Sequence, residues 1–414
     1  MATKYWLGSA SAVAQVSTIQ ITAYSASTTY KVTIGGVSVS VVGSGGTVNT
    51  VATALQSALA ASTHPYFTAI TWTKATDTVT ATATIAGVPF VATSSATGGA
   101  GSIGAVTAVT ASSGPNDWST AANWSTGFVP ASTDTVIFSN SSVNVCWGLS
   151  TSITAVTEIR VDQSYTGRIG LDYKTFAITS DGSTTDATAA EYRQLYCAIG
   201  TSSLKLGLPA ISGSAAGSGR LMFDLGATTA CAVEVYGTAA QSYDTNRSCI
   251  RLLGNNNNHA IRVRSSSGGI GLASEVPNET SLFYSVVVSD QSSTSKVITG
   301  YGSNIAFWEQ YGGTSIVQST NDIPNITVIG GTLTTEGAGK VTGTLSMYGG
   351  TLNHNMSGDV TSIRLHGGFL NGLNTAAVRA WNDIVIYPDA KIAYDPAIIS
   401  VTGIKAGQAM TISS

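Results

Sequence analysis

The chain has 414 residues, of which 43 % are hydrophobic and only 10 % charged, with a formal net charge of −3 at pH 7. Soluble proteins usually carry about 25 % charged residues, so solubility here must rest on Ser, Thr, Asn and exposed backbone, as in extracellular or particle-borne β-proteins. The lack of any Lys/Arg cluster argues against a nucleic-acid partner, and the lack of any run of 18 apolar residues argues against a membrane-spanning helix.

Residues 1–16 read as an N-terminal arm. Met1 to Gly8 show no basic stretch followed by an apolar run, so they do not read as a secretory leader. Lys4, Tyr5, Trp6 and Leu7 place two aromatics on an otherwise small-residue segment, which suits anchoring in a partner's pocket. Packing against the chain's own first domain is the alternative.

Residues 17–110 predict a small α+β module. Strand-like pieces at Ser17–Ala23 and Tyr30–Ile34 lead through Gly35-Gly36, a hairpin signal, to Val37–Val42. A helix follows over Val48–Ala60, capped by Thr47, with Val48, Val51, Leu55 and Leu59 at spacings of three and four. Strands resume at Phe67–Thr73, Val79–Ile85 and Phe90–Thr93, and Ala96–Ser113 reads as a Gly/Ser/Ala linker. Residues 111–135 complete the linker with a Trp-rich lead-in. Its Trp118 and Trp124 can plug the end of a stack whose first coil has no neighbour.

Residues 136–396 predict a parallel β-helix, because a turn recurs at Gly312-Gly313, Gly330-Gly331, Gly349-Gly350 and Gly367-Gly368. Such a period marks a repeat architecture. Four and two places before each first glycine stand Trp308/Gln310, Ile326/Val328, Leu345/Met347 and Ile363/Leu365, apolar in all but one case. Their period of two is that of a strand with one buried face. The same pattern is expected upstream at Val233/Val235, at Ile250/Leu252 and, further back, at Ile159/Val161 and Phe176/Ile178. Ile384–Tyr387 reads as the last coil, and residues 397–414 as a C-terminal cap. Immediately before the glycines stand Tyr311, Ile329, Tyr348, His366 and, in the last coil, Tyr387, which the alternation places outward. This column either stiffens the stack or is covered by copies of the same chain, since a long aromatic strip is poorly left wet.

Motifs of chemistry are absent. The chain has no P-loop, no Gly-x-Ser-x-Gly, no His-Glu-x-x-His, and no metal or cofactor site is expected. Cys146, Cys197, Cys231 and Cys249 are too scattered for a disulfide framework and read as buried thiols. Polysaccharide-cleaving β-helices need paired carboxylates, and no position of the clear repeats stacks two acids. Asp244, Glu275, Glu279 and Asp290, in the irregular stretch, are the carboxylates that loops could bring together.

The strand-helix-strand order of the module, with its Ala86-Gly87-Val88-Pro89-Phe90 run, resembles modules of tailed-bacteriophage structural proteins. The series Trp118, Asn123, Trp124, Val129, Pro130, Asp134, Val136, Phe138 resembles the lead-in found before β-solenoids in autotransporter-like surface proteins and phage virion proteins. The resemblance implies a non-enzymatic virion protein, a capsid decoration or cement protein on the capsid exterior, homotrimeric and bound to the major capsid protein through Lys4, Tyr5, Trp6 and Leu7. Assembly in the host cytoplasm and release by lysis would reconcile the composition with the missing leader. The alternatives are a tail fibre or tailspike that binds, and perhaps cleaves, host-surface glycans, and a cell-surface adhesin.

Overall fold

The computed structural model describes residues 2–149, 155–171, 176–178, 184–187, 196–208, 220–237, 248–265, 269–273, 279–289, 296–373 and 377–407. Its larger part is a parallel β-solenoid, as the repeat predicts. One sheet stacks successive strands in parallel from Ala232–Val235 through Ala260–Val263, Thr280–Val288, Gly302–Gln310, Ile323–Val328 and Val341–Met347 to Val360–Leu365. A second sheet, on the other side of the Gly-Gly corner, runs from Leu221–Asp224 through Thr314–Gln318, Thr332–Glu336 and Thr351–His354 to Ala390–Ala393. Each coil therefore turns once at the corner, and its inward residues meet those of the coils above and below.

The inward columns explain why the pattern specifies this fold. Val233, Ile261, Val286, Trp308, Ile326, Leu345 and Ile363 stack in register, and each is at most 1 % exposed. Gln310, the one polar residue in the adjoining column, is fully buried and satisfied: Nε2 donates to Thr332 O at 2.9 Å and Gly313 O at 3.3 Å, and Oε1 accepts from Trp308 Nε1 at 3.2 Å. It ties its strand to the corner.

The two glycines of the corner serve different needs. The second of each pair sits at positive φ, 72° at Gly331 and 70° at Gly350, where side chains with a Cβ are disfavoured. The first is required by close stacking, since a Cβ on Gly330 would lie 2.4 Å from Tyr311 O in the coil beneath.

Upstream the register differs from the expectation. Val233/Val235 belong to the first sheet and stack on Ile261/Val263, whereas Ile250/Leu252 lie in the second sheet, between Leu221–Asp224 and Ile270–Leu272. The 17-residue interval from Gly237 to Gly254 thus compared two faces of neighbouring coils. Phe176–Ile178 is no coil either; it pairs antiparallel with Thr184–Ala187. The upstream coils are longer, with more residues between Val233 and Ile261 and between Ile261 and Val286 than between the later stacked residues, so the period is lost there.

The N-terminal arm is the first strand of the solenoid. Thr3–Tyr5 pairs in parallel with Thr135–Phe138, which pairs in turn with Val156–Asp162. The α+β module is therefore inserted between two adjacent solenoid strands, with its ends meeting where Val13 N donates to Ser113 O at 2.8 Å. It has its own core of Ile19, Ile21, Val32, Val51, Leu55 and Trp72, among others, separate from that of the solenoid. The Gly35-Gly36 hairpin joins Ile34 to Val37 as expected. Thr47 caps the helix Val48–Ala61 in a reciprocal capping box with Thr50. The segment expected as linker, Ala96–Ser113, is partly paired: Ala96 and Thr97 end a strand that joins Thr29–Ile34, and Ser102–Ile103 and Thr107–Thr110 flank Val16–Ala23. Its small residues suit strands in a thin module as well as they suit a linker, so composition alone did not tell the two apart.

Candidate functional site

The start of the solenoid shows what the Trp-rich lead-in does. Trp6, Trp118, Trp124 and Phe138 close the stack, with edge-on contacts of 5.1 Å between Trp6 and Trp124 and 4.7 Å between Trp118 and Trp124. Trp6, Trp118 and Trp124 are at most 1 % exposed. The open edge of Thr3–Tyr5 is covered by residues 123–125: Leu7 N donates to Asn123 O at 2.8 Å and Ser125 N to Tyr5 O at 3.0 Å. An unpaired edge strand is a liability for aggregation, and this cover removes it. The fully buried Asn123 binds both ends of the insertion, its Nδ2 donating to Gly114 O at 2.7 Å and its Oδ1 accepting from Ala10 N at 2.8 Å. Asp134 accepts from Ala2 N at 2.9 Å and Ala131 N at 3.0 Å and pairs with Lys4 Nζ at 3.3 Å. Those bonds, that from Ala131 foremost, hold its carboxyl below the usual range.

This arrangement corrects the reading of residues 4–7 as a free anchor. Lys4 and Trp6 are buried in the chain's own cap, Lys4 Nζ donating to Val129 O at 2.9 Å and Phe128 O at 3.0 Å. Strand alternation turns Tyr5 and Leu7 outward, where both are exposed, as is Phe128 on the covering loop. Trp118 and Trp124 sit at the solenoid end, where the sequence placed them.

The outward column is longer than its glycines suggested. Residues next in line after the paired Val235, Val263, Val288, Gln310, Val328, Met347, Leu365 and Ile386 are Tyr236, Arg264, Ser289, Tyr311, Ile329, Tyr348, His366 and Tyr387. The backbone N–H of each from Arg264 to Tyr387 donates to the strand beneath, for example Tyr348 N to Val328 O at 2.8 Å. At the coil spacing of about 4.8 Å the column is continuous over eight coils. Tyr236 could have been found from the sequence, since Gly237 follows it as Gly312 follows Tyr311.

Within the column, Tyr348, His366 and Tyr387 form a stack. Ring centroids lie 4.6 Å apart between Tyr348 and His366, with planes 2° from parallel, and 4.3 Å apart between His366 and Tyr387. Upstream, Arg264 lies over the Tyr236 ring, 5.1 Å from its centroid. Tyr236 and Tyr311 each donate a hydroxyl to the glutamate two residues before, Glu234 and Glu309. Tyr311, Ile329 and Tyr348 remain 39 %, 37 % and 56 % exposed. The geometry decides what the strip can recognise. Both faces of His366 and one face each of Tyr348 and Tyr387 are taken up in this stack, so this part of the strip offers mainly edges and hydroxyls to a partner.

The glutamates of the coils meet other residue types along their columns. Glu309 stacks between Val287 and Thr327, and Glu234 between Lys205 and Arg262. Glu279 is bound by Arg251 Nη2 at 3.0 Å and by the Tyr196 hydroxyl. Asp244, Glu275 and Asp290 lie outside the described residues. The four cysteines are buried, and burial raises the Cys197 and Cys231 thiols to about 12. Among the described residues no group of His, Cys, Asp and Glu is placed to hold a metal ion, and no helix is long and apolar enough to cross a membrane. No protein-family model, curated protein or solved structure matches the chain.

Proposed function

We propose that this chain is a non-enzymatic structural protein of a tailed-phage particle, a decoration or cement protein that binds the major capsid protein on the outside of the head and associates with copies of itself as a trimer. The observation that carries the reading is the outward column. A column of outward side chains along eight coils, with Tyr236, Tyr311, Ile329, Tyr348, His366 and Tyr387 beside Arg264 and Ser289, has the form of a protein contact, because rigid aromatics add contact area at little cost in ordering. Capsid docking falls to the exposed Tyr5 and Leu7 at the blunt end of the solenoid, with Phe128 beside them on the covering loop.

Two measurements test this. Light scattering on the purified protein is expected to give an oligomer that Tyr348→Arg reduces to the monomer; an unchanged oligomer would remove the strip from the interface. Quantifying the protein in purified particles is expected to give copies in the hundreds, as decoration of a whole lattice demands, whereas about six to eighteen copies, by the symmetry of closed assemblies, would mean a fibre.

A further inference from the structure

The α+β module leaves one strand edge open. Val37–Val42 ends the three-stranded sheet it forms with Thr29–Ile34 and Ala92–Thr97, and it pairs with Thr29–Ile34 alone. Gly43 N donates to Thr28 O at 2.8 Å, and bonded pairs alternate along an antiparallel ladder, so Val37, Val39 and Val41 bond the neighbouring strand. Ser38, Ser40 and Val42 turn their N–H and C=O groups away from it. None of these groups bonds to another described residue, and all three side chains are exposed.

Proteins guard such edges with charge, proline, a bulge or a cover. The module does so at the edge strand Ile70–Ala75, where Gln56 Nε2 donates to Trp72 O at 2.9 Å and Lys74 stands on the strand. Val37–Val42 carries only valine and serine and pairs without a bulge. The surroundings are nearly uncharged, since Lys31, Lys74 and Asp77 are the charged residues between positions 17 and 110.

We propose that this edge is a pairing site for the same strand of a second copy, the two running antiparallel about a two-fold axis at Ser40. The strand is self-complementary in that register: Ser40 meets the partner's Ser40, Val39 the partner's Val41, and Ser38 the partner's Val42. All the free N–H and C=O groups are then paired. Val37, Val39 and Val41, half-buried against the module core, continue across the junction as cross-strand valine pairs. The turns brought together are rich in glycine, and a Cβ on Gly36 or Gly46 would meet nothing within 4 Å. Lys31, opposite Ser40 on the neighbouring strand, stands three strand spacings, ~14 Å, from its counterpart, beyond the Debye length.

The contact is small. One strand edge buries less than the ~1,200–2,000 Å² of a stable interface, so it pairs where copies are held close together and leaves the chain without its outward strip a monomer in dilute solution. The inference does not rest on the role proposed above.

The test is disulfide trapping in the full chain carrying Tyr348→Arg, which removes the outward strip as a source of association. Ser40→Cys sets two thiols on Cα atoms about 5.5 Å apart, the spacing of a bonded pair, within disulfide reach. Ser38→Cys sets them four residues out of line, ~13 Å apart and out of reach. The native cysteines are buried, so the introduced thiol is the one reported. With concentrated protein and oxidised glutathione, Ser40→Cys is expected to give the linked dimer at least about tenfold faster than Ser38→Cys. Adding Ser38→Pro to Ser40→Cys removes an outward N–H and no bond within the chain, and is expected to abolish that advantage. Equal rates for the two cysteine variants, no dimer from either, or a Ser40→Cys rate untouched by Ser38→Pro overturns the proposal.

Discussion

Asp134 illustrates how much one side chain near the solenoid start carries. Its two oxygens hold Ala2 N and Ala131 N, and Lys4 Nζ stands 3.3 Å away, so strand, loop and cap meet at one carboxylate. Hydrogen bonds to a charged group are worth about 1.5–3 kcal/mol each, and Asp134→Asn is expected to destabilise the chain by roughly that amount. The pH dependence has a definite sign. The folded state lowers this carboxyl, so its contribution is fully present above the unfolded value near 3.8 and is lost as pH falls through the lower folded value. Acid titration of unfolding, followed by circular dichroism, should show wild type losing its advantage over Asp134→Asn below about pH 4; a constant difference down to pH 2 would contradict the role. That Asp134 mattered was visible in its place between Pro130 and Val136, but its partners Ala2 and Lys4 were not, because they come from more than a hundred residues away.

At the scale of the coil, the Gly-Gly corner was the most legible element, and the structure divides its cause in two. Gly331 is needed for its φ of 72° and Gly330 for contact with Tyr311 O. Left-handed backbone costs a side-chain-bearing residue about 1–2 kcal/mol, and a Cβ on Gly331 would in addition lie 2.4 Å from Gly313 O and 2.5 Å from Gly312 C. Gly331→Ala is therefore expected to cost more than that strain alone and to lower the denaturant midpoint, whereas Gly36→Ala, at a hairpin where nothing lies within 4 Å of the added Cβ, should cost the strain only. Equal losses from the two substitutions would refute the stacking argument. The register failed where coils lengthen: Ile250/Leu252 carry the same alternation as Val233/Val235 but belong to the other sheet. Alternation reports one buried face and does not say which face of the coil it is.

For the whole molecule, the main consequence is that the N-terminus belongs to the solenoid and the α+β module hangs from its first coil. Removing residues 1–8 would take out the strand Thr3–Tyr5 and the Trp6 plug, so loss of capsid binding in that variant would not isolate a docking role. The deletion is expected to lower the unfolding temperature of the solenoid and leave the module folded, which has its own core; exchange protection persisting in Val48–Ala61 while the solenoid opens would show it, and loss of both together would refute the separation. Tyr5→Ser with Leu7→Ser, both outward, is the variant that separates docking from folding. By itself the sequence determined the solenoid, its inward columns, the small helix and the outward strip, since each is a local pattern repeated at a spacing that strand or helix geometry imposes. Only the tertiary structure decided that the first strand joins the solenoid strand Thr135–Phe138, that upstream pairs lie on different sheets, and that Arg379, Trp381 and His354 pack against one another. Those are contacts between segments far apart in the chain, and spacing along the chain carries no information about which distant strand a given strand will meet.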